Sequence, residues 1–287
     1  MRLTLKNLTK IYDKKKVLNK LSIDFSNGVY ALLGPNGSGK STLMNIICGL
    51  VSPTSGEVTY DLKDKNRLFK QLGYLPQTCN FYPDFTVFDF LYYMSTLKGI
   101  HDRDIDKKII LALKKVNLDS KQYSKINSLS GGMQRRLGIA QAIINNPQIL
   151  ILDEPTTGLD PKERVSFKRL ISDLGTDKIV IISTHIVSDV EDMADNIIFL
   201  KKGNVVLTGT HTSVLKTIED KVWIATVDQN EAKQFEERYV ISKTQHLPNK
   251  YIQYRIISDS KPCSSAKQVF PTLEDVYLSI FNQGSGE

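Results

Sequence analysis

Apolar and polar positions along the chain follow patterns that predict a mixed α/β fold. Residues 1–6 alternate apolar and polar side chains, which is typical of a strand with one buried face. The runs at 28–33, 149–153 and 179–184 are largely apolar, as in strands covered on both faces of a mostly parallel sheet. We therefore predict a parallel sheet core with antiparallel strands at the N-terminus.

Between about residues 80 and 145 the apolar side chains recur at helical spacing. Thr86 is a helix-capping residue with an acidic residue three positions later. Ile105, Ile109 and Leu113 lie on one stripe of a second helix. The spacing predicts a helical subdomain inserted into the α/β domain.

The last quarter of the chain has its own pattern. Beyond about residue 210 the predicted elements are strands near 222–227, 240–245 and 251–257 and helices at 230–238 and 272–281. We therefore expect one domain at 1–210 and a small α+β accessory domain at 211–287, which ends in a short flexible tail.

The segment after the strand at 28–33 carries the most specific chemistry. It matches G-x-x-x-x-G-K-[ST] in full, with the residues Gly34, Pro35, Asn36, Gly37, Ser38, Gly39, Lys40 and Ser41, followed by Thr42. The glycines let backbone N–H groups turn toward phosphate oxygens, Lys40 adds a positive charge, and the Ser41 hydroxyl can ligate Mg²⁺. The helix that follows points its positive end at the anion. The sequence thus predicts a P-loop NTPase fold that binds a nucleoside triphosphate.

Two acidic residues close the strand at 149–153. Asp153 and Glu154 follow an apolar run and precede a proline. Open α/β sheets bind ligands at the carboxyl edge of their strands, so we expect both carboxylates beside the phosphate-binding loop. Asp153 can hold Mg²⁺ there, and Glu154 can polarise an attacking water.

A third motif has the sequence LSGGMQ and stands directly before a helical pattern. Ser130, Gly131 and Gly132 form a second helix start that can receive an anion. With the P-loop and the acidic strand, this motif resembles the ATP-binding-cassette (ABC) ATPases, whose signature is LSGGQ; here Met133 precedes the Gln. The resemblance covers residues 1 to about 210, with the motifs in the family's order.

The resemblance implies further residues of the nucleotide site. Tyr12 is similar to the aromatic residue that stacks on adenine. Gln77 resembles the Q-loop glutamine, which touches Mg²⁺ and the attacking water. Residues 158–160 resemble the D-loop, which crosses the dimer interface in the family. His185 resembles the switch histidine that contacts the γ-phosphate, and together with Gln77 and Glu154 it forms the expected catalytic set.

In this family two nucleotide-binding domains form a head-to-tail dimer, and the P-loop of one and the signature loop of the other sandwich each ATP. The resemblance therefore implies ATP and Mg²⁺, ATP hydrolysis, and a second nucleotide-binding domain, identical or homologous. It also implies separate transmembrane permease subunits and a location at the cytoplasmic face of the membrane. Residues 271–277 resemble the end of bacterial half-cassette ATPases of drug, antibiotic or peptide exporters, which favours export.

Composition narrows the classes of partner. The formal net charge is +7, but the lysines are scattered rather than concentrated on one face with aromatic residues, so no nucleic-acid partner is expected. No apolar stretch approaches the roughly 20 residues that span a bilayer, so we expect any pore on a separate polypeptide. Cys48, Cys79 and Cys263 lie far apart, which argues against a zinc site or a disulfide framework.

Two other classes of cassette ATPase share the signature. DNA-repair and chromosome-structure ATPases place a long coiled coil inside the fold, and this sequence has no heptad run. Translation-associated cassette ATPases carry two cassettes in one chain, whereas this sequence has one P-loop and one signature. The transporter ATPase is therefore favoured over both.

Overall fold

The computed structural model describes residues 1–61, 68–100 and 104–282, and the tail predicted at the C-terminus lies outside these ranges. The chain divides into two compact units, 1–206 and 207–287. The sequence pattern places its domain boundary nearby, at about residue 210.

The first unit contains the strands and helices that carry the predicted site. Its strands are β1 (Leu3–Tyr12), β2 (Lys15–Phe25), β3 (Gly28–Leu33), β4 (Ser55–Tyr60), β5 (Leu72–Leu75), β6 (Ile149–Asp153), β7 (Ile179–Thr184), β8 (Asn196–Lys201) and β9 (Asn204–Thr210), the last of which runs past the unit's end. Its helices are α1 (Lys40–Ile47), α2 (Leu68–Gln71), α3 (Val87–Leu97), α4 (Ile105–Lys115), α5 (Gly131–Ile143) and α6 (Pro161–Gly175). Over the described part of the chain, none of the helices combines the length and apolar character needed to cross a bilayer.

The central sheet has the strand order β5-β6-β7-β3-β8-β9 within the described ranges. β3 lies parallel between β7 and β8, and β6 lies parallel between β5 and β7. Leu33 pairs with Thr184 and Asp153 pairs with Ser183, so these strands end together. The residues that follow β3, β6 and β7 therefore emerge at one edge of the sheet.

Strands β2, β1 and β4 form a second, antiparallel sheet in that order. Alternate residues of a strand face the same side, and one side of the central sheet contributes to a core shared with this second sheet and with α1. Its members from the central strands are Tyr30, Leu32, Ile149, Ile151, Ile179, Ile181, Ile198 and Leu200. The prediction of a parallel core with antiparallel N-terminal strands is confirmed.

The inserted region is helical. Thr86 caps α3 by accepting a hydrogen bond from the Asp89 N–H at 3.1 Å, and Ile109 and Leu113 are buried on α4. Helix α5 is buried around most of its circumference rather than along one stripe, because it packs against β5 as well as α3 and α4. One of its buried residues is a charged side chain, Arg135.

The second unit is an α+β structure. Its elements are α7 (His211–Lys216), β10 (Val222–Asp228), α8 (Ala232–Arg238), β11 (Val240–His246), β12 (Tyr251–Ile257), β13 (Lys267–Gln268) and α9 (Leu273–Phe281). Its strands form an antiparallel sheet in the order β11-β12-β10-β13. Tyr254 and Ile256 of β12 and Ala225 of β10 are fully buried in its core.

Candidate functional site

The glycine-rich loop between β3 and α1 is held by backbone contacts. Gly39 has φ 110°, a left-handed conformation, and a Cβ at this position would lie 2.9 Å from the carbonyl oxygen of Val17. Both constraints require glycine. The Ser38 N–H donates to the Pro35 carbonyl at 3.2 Å, and the Gly203 N–H donates to the Ser38 carbonyl at 3.0 Å. The turn between β8 and β9 thus anchors the loop.

Lys40 brings a buried positive charge to this loop. Its Nζ donates to the carbonyl oxygens of Gly34 at 2.6 Å and Pro35 at 3.2 Å, and the residue is only 6% exposed. Burial lowers the pKa of Lys40, and the carboxylates of Glu154 and Asp153 oppose that change. The negative charges of the two acidic residues therefore stabilise the ammonium group in its buried position.

The two acidic residues at the end of β6 are buried and held by β7. The Asp153 carboxylate accepts a hydrogen bond from the Ser183 hydroxyl. The Glu154 N–H donates to the Ser183 carbonyl at 3.1 Å. Glu154 has φ 50°, a left-handed conformation that costs a non-glycine residue about 1 kcal/mol or more. Strain of this kind is concentrated at functional sites.

The Glu154 side chain has one partnered and one unpartnered oxygen. His185 Nδ1 lies 2.9 Å from Oε1, within hydrogen-bond distance. Oε2 is buried and has no hydrogen-bond partner within the described structure, as is also true of Ser38 Oγ in the loop. Leaving a buried acceptor unpaired costs free energy, so both atoms fit a site that presents hydrogen-bonding groups to a bound molecule.

A cleft of about 780 Å³ brings most of the predicted site residues together. It is lined by Lys15, Lys16, Val17, Asn36, Gly37, Gly39, Lys40, Ser41, Thr42, Gln77, Asp153, Glu154 and Lys202. The P-loop, the Q-loop glutamine and both acidic residues thus share one space. The cleft combines several cations with hydroxyl, amide and carboxylate oxygens, which suits a polyphosphate and a hard cation.

Gly34, Pro35 and Ser38 of the P-loop do not line the cleft, and three further predicted components lie beside or away from this lining. Tyr12 pairs with Lys15 across the β1–β2 hairpin, is 42% exposed, and has the Lys10 Nζ 4.7 Å from its ring centre. His185 reaches the site through Glu154. Among the described residues that line the cleft, none belongs to the signature loop.

The signature loop instead adjoins the segment that resembles the D-loop. Ser130 caps α5 by accepting a hydrogen bond from the Met133 N–H at 3.2 Å. A Cβ on Gly132 would lie 3.1 Å from the Gly158 carbonyl and 2.8 Å from Glu163 Oε2. A Cβ on Gly131 would meet no described atom within 4 Å, so this face of the loop is open.

Several residues of the site were not predicted from the sequence. Lys15, Lys16 and Lys202 belong to charge clusters that the sequence presents as scattered surface lysines. Ser183 follows four apolar residues near the end of its strand, and this change to a polar side chain is the one local signal that it belongs to the site. Arg135 carries no such signal, because only the packing of α5 makes it a buried residue.

In this chain a phosphate-binding loop connects the buried parallel strand β3 to a helix, and two carboxylates lie at the end of β6, which is two strands from β3 in the sheet. This arrangement defines the P-loop NTPase class. The chain matches the family model described as ABC transporter over residues 18–157. It is 32% identical to an uncharacterized ABC transporter ATP-binding protein of Bacillus subtilis, over 97% of this chain and 99% of that protein. This chain belongs to the family of ABC transporter ATP-binding proteins.

Other relatives and a solved structure agree with this assignment. A lantibiotic transport ATP-binding protein of Streptococcus pyogenes is 38% identical over 71% of this chain and 89% of its own length. A Nod factor export ATP-binding protein of Rhizobium etli is 38% identical over 71% of this chain and 66% of its own length. A dimeric cassette in a post-hydrolysis state, bound to ADP and phosphate, superposes with a TM-score of 0.65 at 32% identity, covering 72% of this chain and 98% of that one. The chain is an ATPase of the ABC class.

Proposed function

We propose that this chain binds MgATP in the cleft and hydrolyses it as one half of a dimer that drives a separate membrane permease. The observation that carries the proposal is the buried, unpartnered Oε2 of Glu154, in a cleft that also contains Lys40 and Ser41. A carboxylate oxygen in this position is available to accept a hydrogen bond from an attacking water.

The residues of the cleft fit a triphosphate with Mg²⁺. Lys40 and the loop N–H groups bind the phosphates. Ser41, Gln77 and Asp153 offer oxygen donors, and a set with one carboxylate suits a cation that keeps waters and phosphate oxygens in its shell. When bound there, Mg²⁺ supplies positive charge that polarises the phosphate oxygens. The Ser183 hydroxyl fixes the carboxylate of Asp153 for this task.

Glu154 and His185 act as a pair in the proposed reaction. His185 Nδ1 donates to Oε1 and so orients the carboxylate, while Oε2 has no partner within the described structure. Oε2 accepts a proton from the attacking water as the water oxygen bonds to the γ-phosphorus and the bond from that phosphorus to ADP breaks, which releases ADP and phosphate. The other ring nitrogen of His185, Nε2, then contacts the γ-phosphate, as the resemblance to the switch histidine implies.

The proposed dimer follows from the position of the signature loop. Ser130, Gly131 and Gly132 form an open helix start outside the cleft of their own chain. We infer that this loop completes the site of a second nucleotide-binding domain in a head-to-tail pair, with Tyr12 stacking on the adenine. The related cassette that was solved with ADP and phosphate is dimeric, which supports this arrangement.

The proposed permease contact uses the helical subdomain. Aromatic side chains around α3 are exposed there, namely Tyr82, Phe85, Tyr92, Tyr93 and Tyr123. Exposed aromatic clusters of this kind mark protein interfaces. The names of the relatives from Streptococcus and Rhizobium support a transporter, and the name of the Rhizobium protein supports export. The location that we propose, at the cytoplasmic face of the membrane, is the one that the resemblance to the ABC ATPases implies.

Two substitutions test the proposed chemistry. Glu154→Gln should bind MgATP like the parent but hydrolyse it about 10²- to 10⁴-fold more slowly, because the amide cannot accept the proton. With MgATP it should accumulate as a dimer in size-exclusion chromatography with light scattering.

Lys40→Ala should weaken MgATP binding about 30-fold, roughly 2 kcal/mol, because a charge-assisted contact is lost.

Circular dichroism controls for folding in both variants. Turnover of Glu154→Gln at the parent rate would remove the general base from the proposal. Unchanged MgATP affinity in a folded Lys40→Ala variant would mean that the triphosphate binds elsewhere.

A further inference from the structure

Arg135 is a buried cation on α5 that the reaction described above does not use. Only 7% of the residue is exposed. Its guanidinium donates to the backbone carbonyls of Pro76 (2.7 Å), Gln77 (3.0 Å), Asp153, Glu154 (2.9 Å) and Pro155 (3.3 Å). These acceptors come from two segments that flank the cleft, the Q-loop after β5 and the end of β6. One side chain thus fastens both segments to α5.

The chemistry of this contact requires arginine. A guanidinium presents five N–H donors in a rigid planar fork, whereas a lysine ammonium is a compact point charge with three donors. All five carbonyls are bound by the three guanidinium nitrogens, from both sides of the fork. A lysine at this position keeps the charge but cannot span the Q-loop and the β6 end together.

The contact also acts on the strained residue of the site. Glu154 has a left-handed backbone, its N–H is bound by the Ser183 carbonyl, and its carbonyl is bound by Arg135 Nη2. The peptide groups on both sides of the residue are therefore fixed. The direction of the Glu154 side chain, with Oε1 on His185 and Oε2 unpartnered, depends on this hold.

Arg135 lies on the helix that the signature loop begins. Ser130 caps α5, and Arg135 follows five residues later, about one and a half turns along the helix. A shift of α5 at its N-terminus is consequently carried to Gln77 and Glu154 through one rigid group.

We propose that Arg135 is a positioning residue that ties the signature helix to the Q-loop and to the backbone of Glu154. The proposal rests on the proposed function. Gln77 and Glu154, which act on the cation and the attacking water, then move as one unit with the helix that meets the second nucleotide-binding domain. Arg135 sets the rate of the chemical step and leaves the binding of the diphosphate to the P-loop.

The test compares Arg135→Lys and Arg135→Met in the full-length chain, with Arg255→Lys as a matched control. Arg255 is a half-buried arginine of the second unit, which binds the Asp275 carboxylate and the Phe270 carbonyl. We expect kcat to fall about 10²-fold in both Arg135 variants, since a misplacement of about 1 Å costs this much. MgADP affinity, measured by titration, should stay within about threefold of the parent because the P-loop is untouched. Arg255→Lys should lower thermal stability without changing kcat.

The outcomes separate the inference from the proposed function. A folded Arg135→Lys variant with parent kcat overturns the positioning role, as does a loss of MgADP affinity in proportion to kcat. Arg135→Lys decides the question if Arg135→Met fails to fold. Glu154→Gln, assayed alongside, tests the proposed function itself: if it also turns over at the parent rate, the proposed function fails and the positioning role fails with it. A slow Glu154→Gln with a fast Arg135→Lys overturns the positioning role alone.

Discussion

Lys98 is a half-buried lysine of the helical subdomain, outside the lining of the cleft. It follows α3, and its Nζ donates to the Gln141 carbonyl at 2.9 Å and to Asn145 Oδ1 at 3.1 Å. Both acceptors are neutral, so they replace only part of the hydration that the ammonium loses. Burial accordingly lowers the pKa of Lys98 to about 8.

This shift predicts a gain in stability at alkaline pH. The unfolded chain holds the Lys98 proton up to its ordinary pKa of 10.5, whereas the folded chain releases it from about 8. Between these values the unfolded state binds more protons, so the free energy of unfolding rises with pH, by at most about 3 kcal/mol. Below pH 8 the full cost of the buried charge remains.

Urea denaturation at several pH values checks this. The difference between the parent and Lys98→Met should change across this window, while the difference between the parent and Lys162→Met, an exposed lysine, should stay flat. Parallel curves for the parent and Lys98→Met would contradict the expected shift.

Individual site residues could be predicted from the sequence where they belong to a motif of adjacent residues. The P-loop, Asp153 and Glu154 each stand in a pattern of adjacent residues, and the structure brings these residues together in one cleft. Ser183 and Lys202 could not be predicted, because sheet register and a hairpin turn from distant parts of the chain bring them to the site. The role of Arg135 could not be predicted either, because its hydrogen-bond partners are distant in sequence. Those in the Q-loop precede it by 58 or 59 residues, and those at the end of β6 follow it by 18 to 20 residues.

Helix α9 depends on a buried acidic residue at its start. Thr272 and Asp275 form a capping box, and the Asp275 carboxylate also accepts hydrogen bonds from Arg255 and from the Ser242 hydroxyl at 2.6 Å. Burial alone would raise the pKa of Asp275, but the hydrogen bonds from Arg255, Ser242 and Thr272 together lower it below its usual range. The carboxylate therefore joins α9 to β11 and β12.

Asp275→Asn should destabilise the second unit by about 3 kcal/mol, because it leaves Arg255 without its buried counter-charge. Trp223, the single tryptophan, lies in β10, so its fluorescence during thermal unfolding reports this unit. The parent should also lose stability as pH falls through the lowered pKa of Asp275, and the variant should not.

Asp259→Asn is the control, since Asp259 lies in an exposed ion pair with Lys221. An unfolding midpoint for Asp275→Asn that equals that of Asp259→Asn would show that the network does not hold α9.

Elements were predictable where burial repeats along the chain. The all-apolar runs at β3, β6 and β7 and the alternating β1 could be assigned from side chains alone. The order of the strands could not, because β3 is paired with β7 and β8, which lie far away in sequence. The burial of α5 on more than one face was also not predictable from the pattern, since it arises where several elements pack around one helix.

The whole chain divides near residue 206, and we propose that the C-terminal segment is a separable accessory domain. A chain that ends at Thr210, which keeps β9 whole, should bind MgATP within about threefold of the parent, because the cleft is lined by residues up to Lys202. Isothermal titration and circular dichroism measure this. A truncated chain that fails to fold, or that loses nucleotide binding, would place the boundary elsewhere.

The proposed head-to-tail pair makes a distinct prediction for mixed dimers. Ser130→Arg should block the signature loop and Glu154→Gln should remove the general base, so each variant alone should be inactive. In a mixed dimer one site receives both defects and the other receives neither. Mixing equal amounts before MgATP is added should restore about a quarter of the parent ATPase activity. No recovery at any ratio would indicate that each site is built within one chain.

The left-handed backbone of Glu154 sets a conflict between stability and activity. Glycine adopts φ 50° freely, so the backbone at this position favours a residue that has no carboxylate. Under the proposed function, selection for transport retains the glutamate, and selection for stability alone would replace it. Inactive cassettes that have lost this pressure should therefore drift toward residues such as glycine or asparagine here, and a change at this position in a related sequence would mark a site that has stopped turning over.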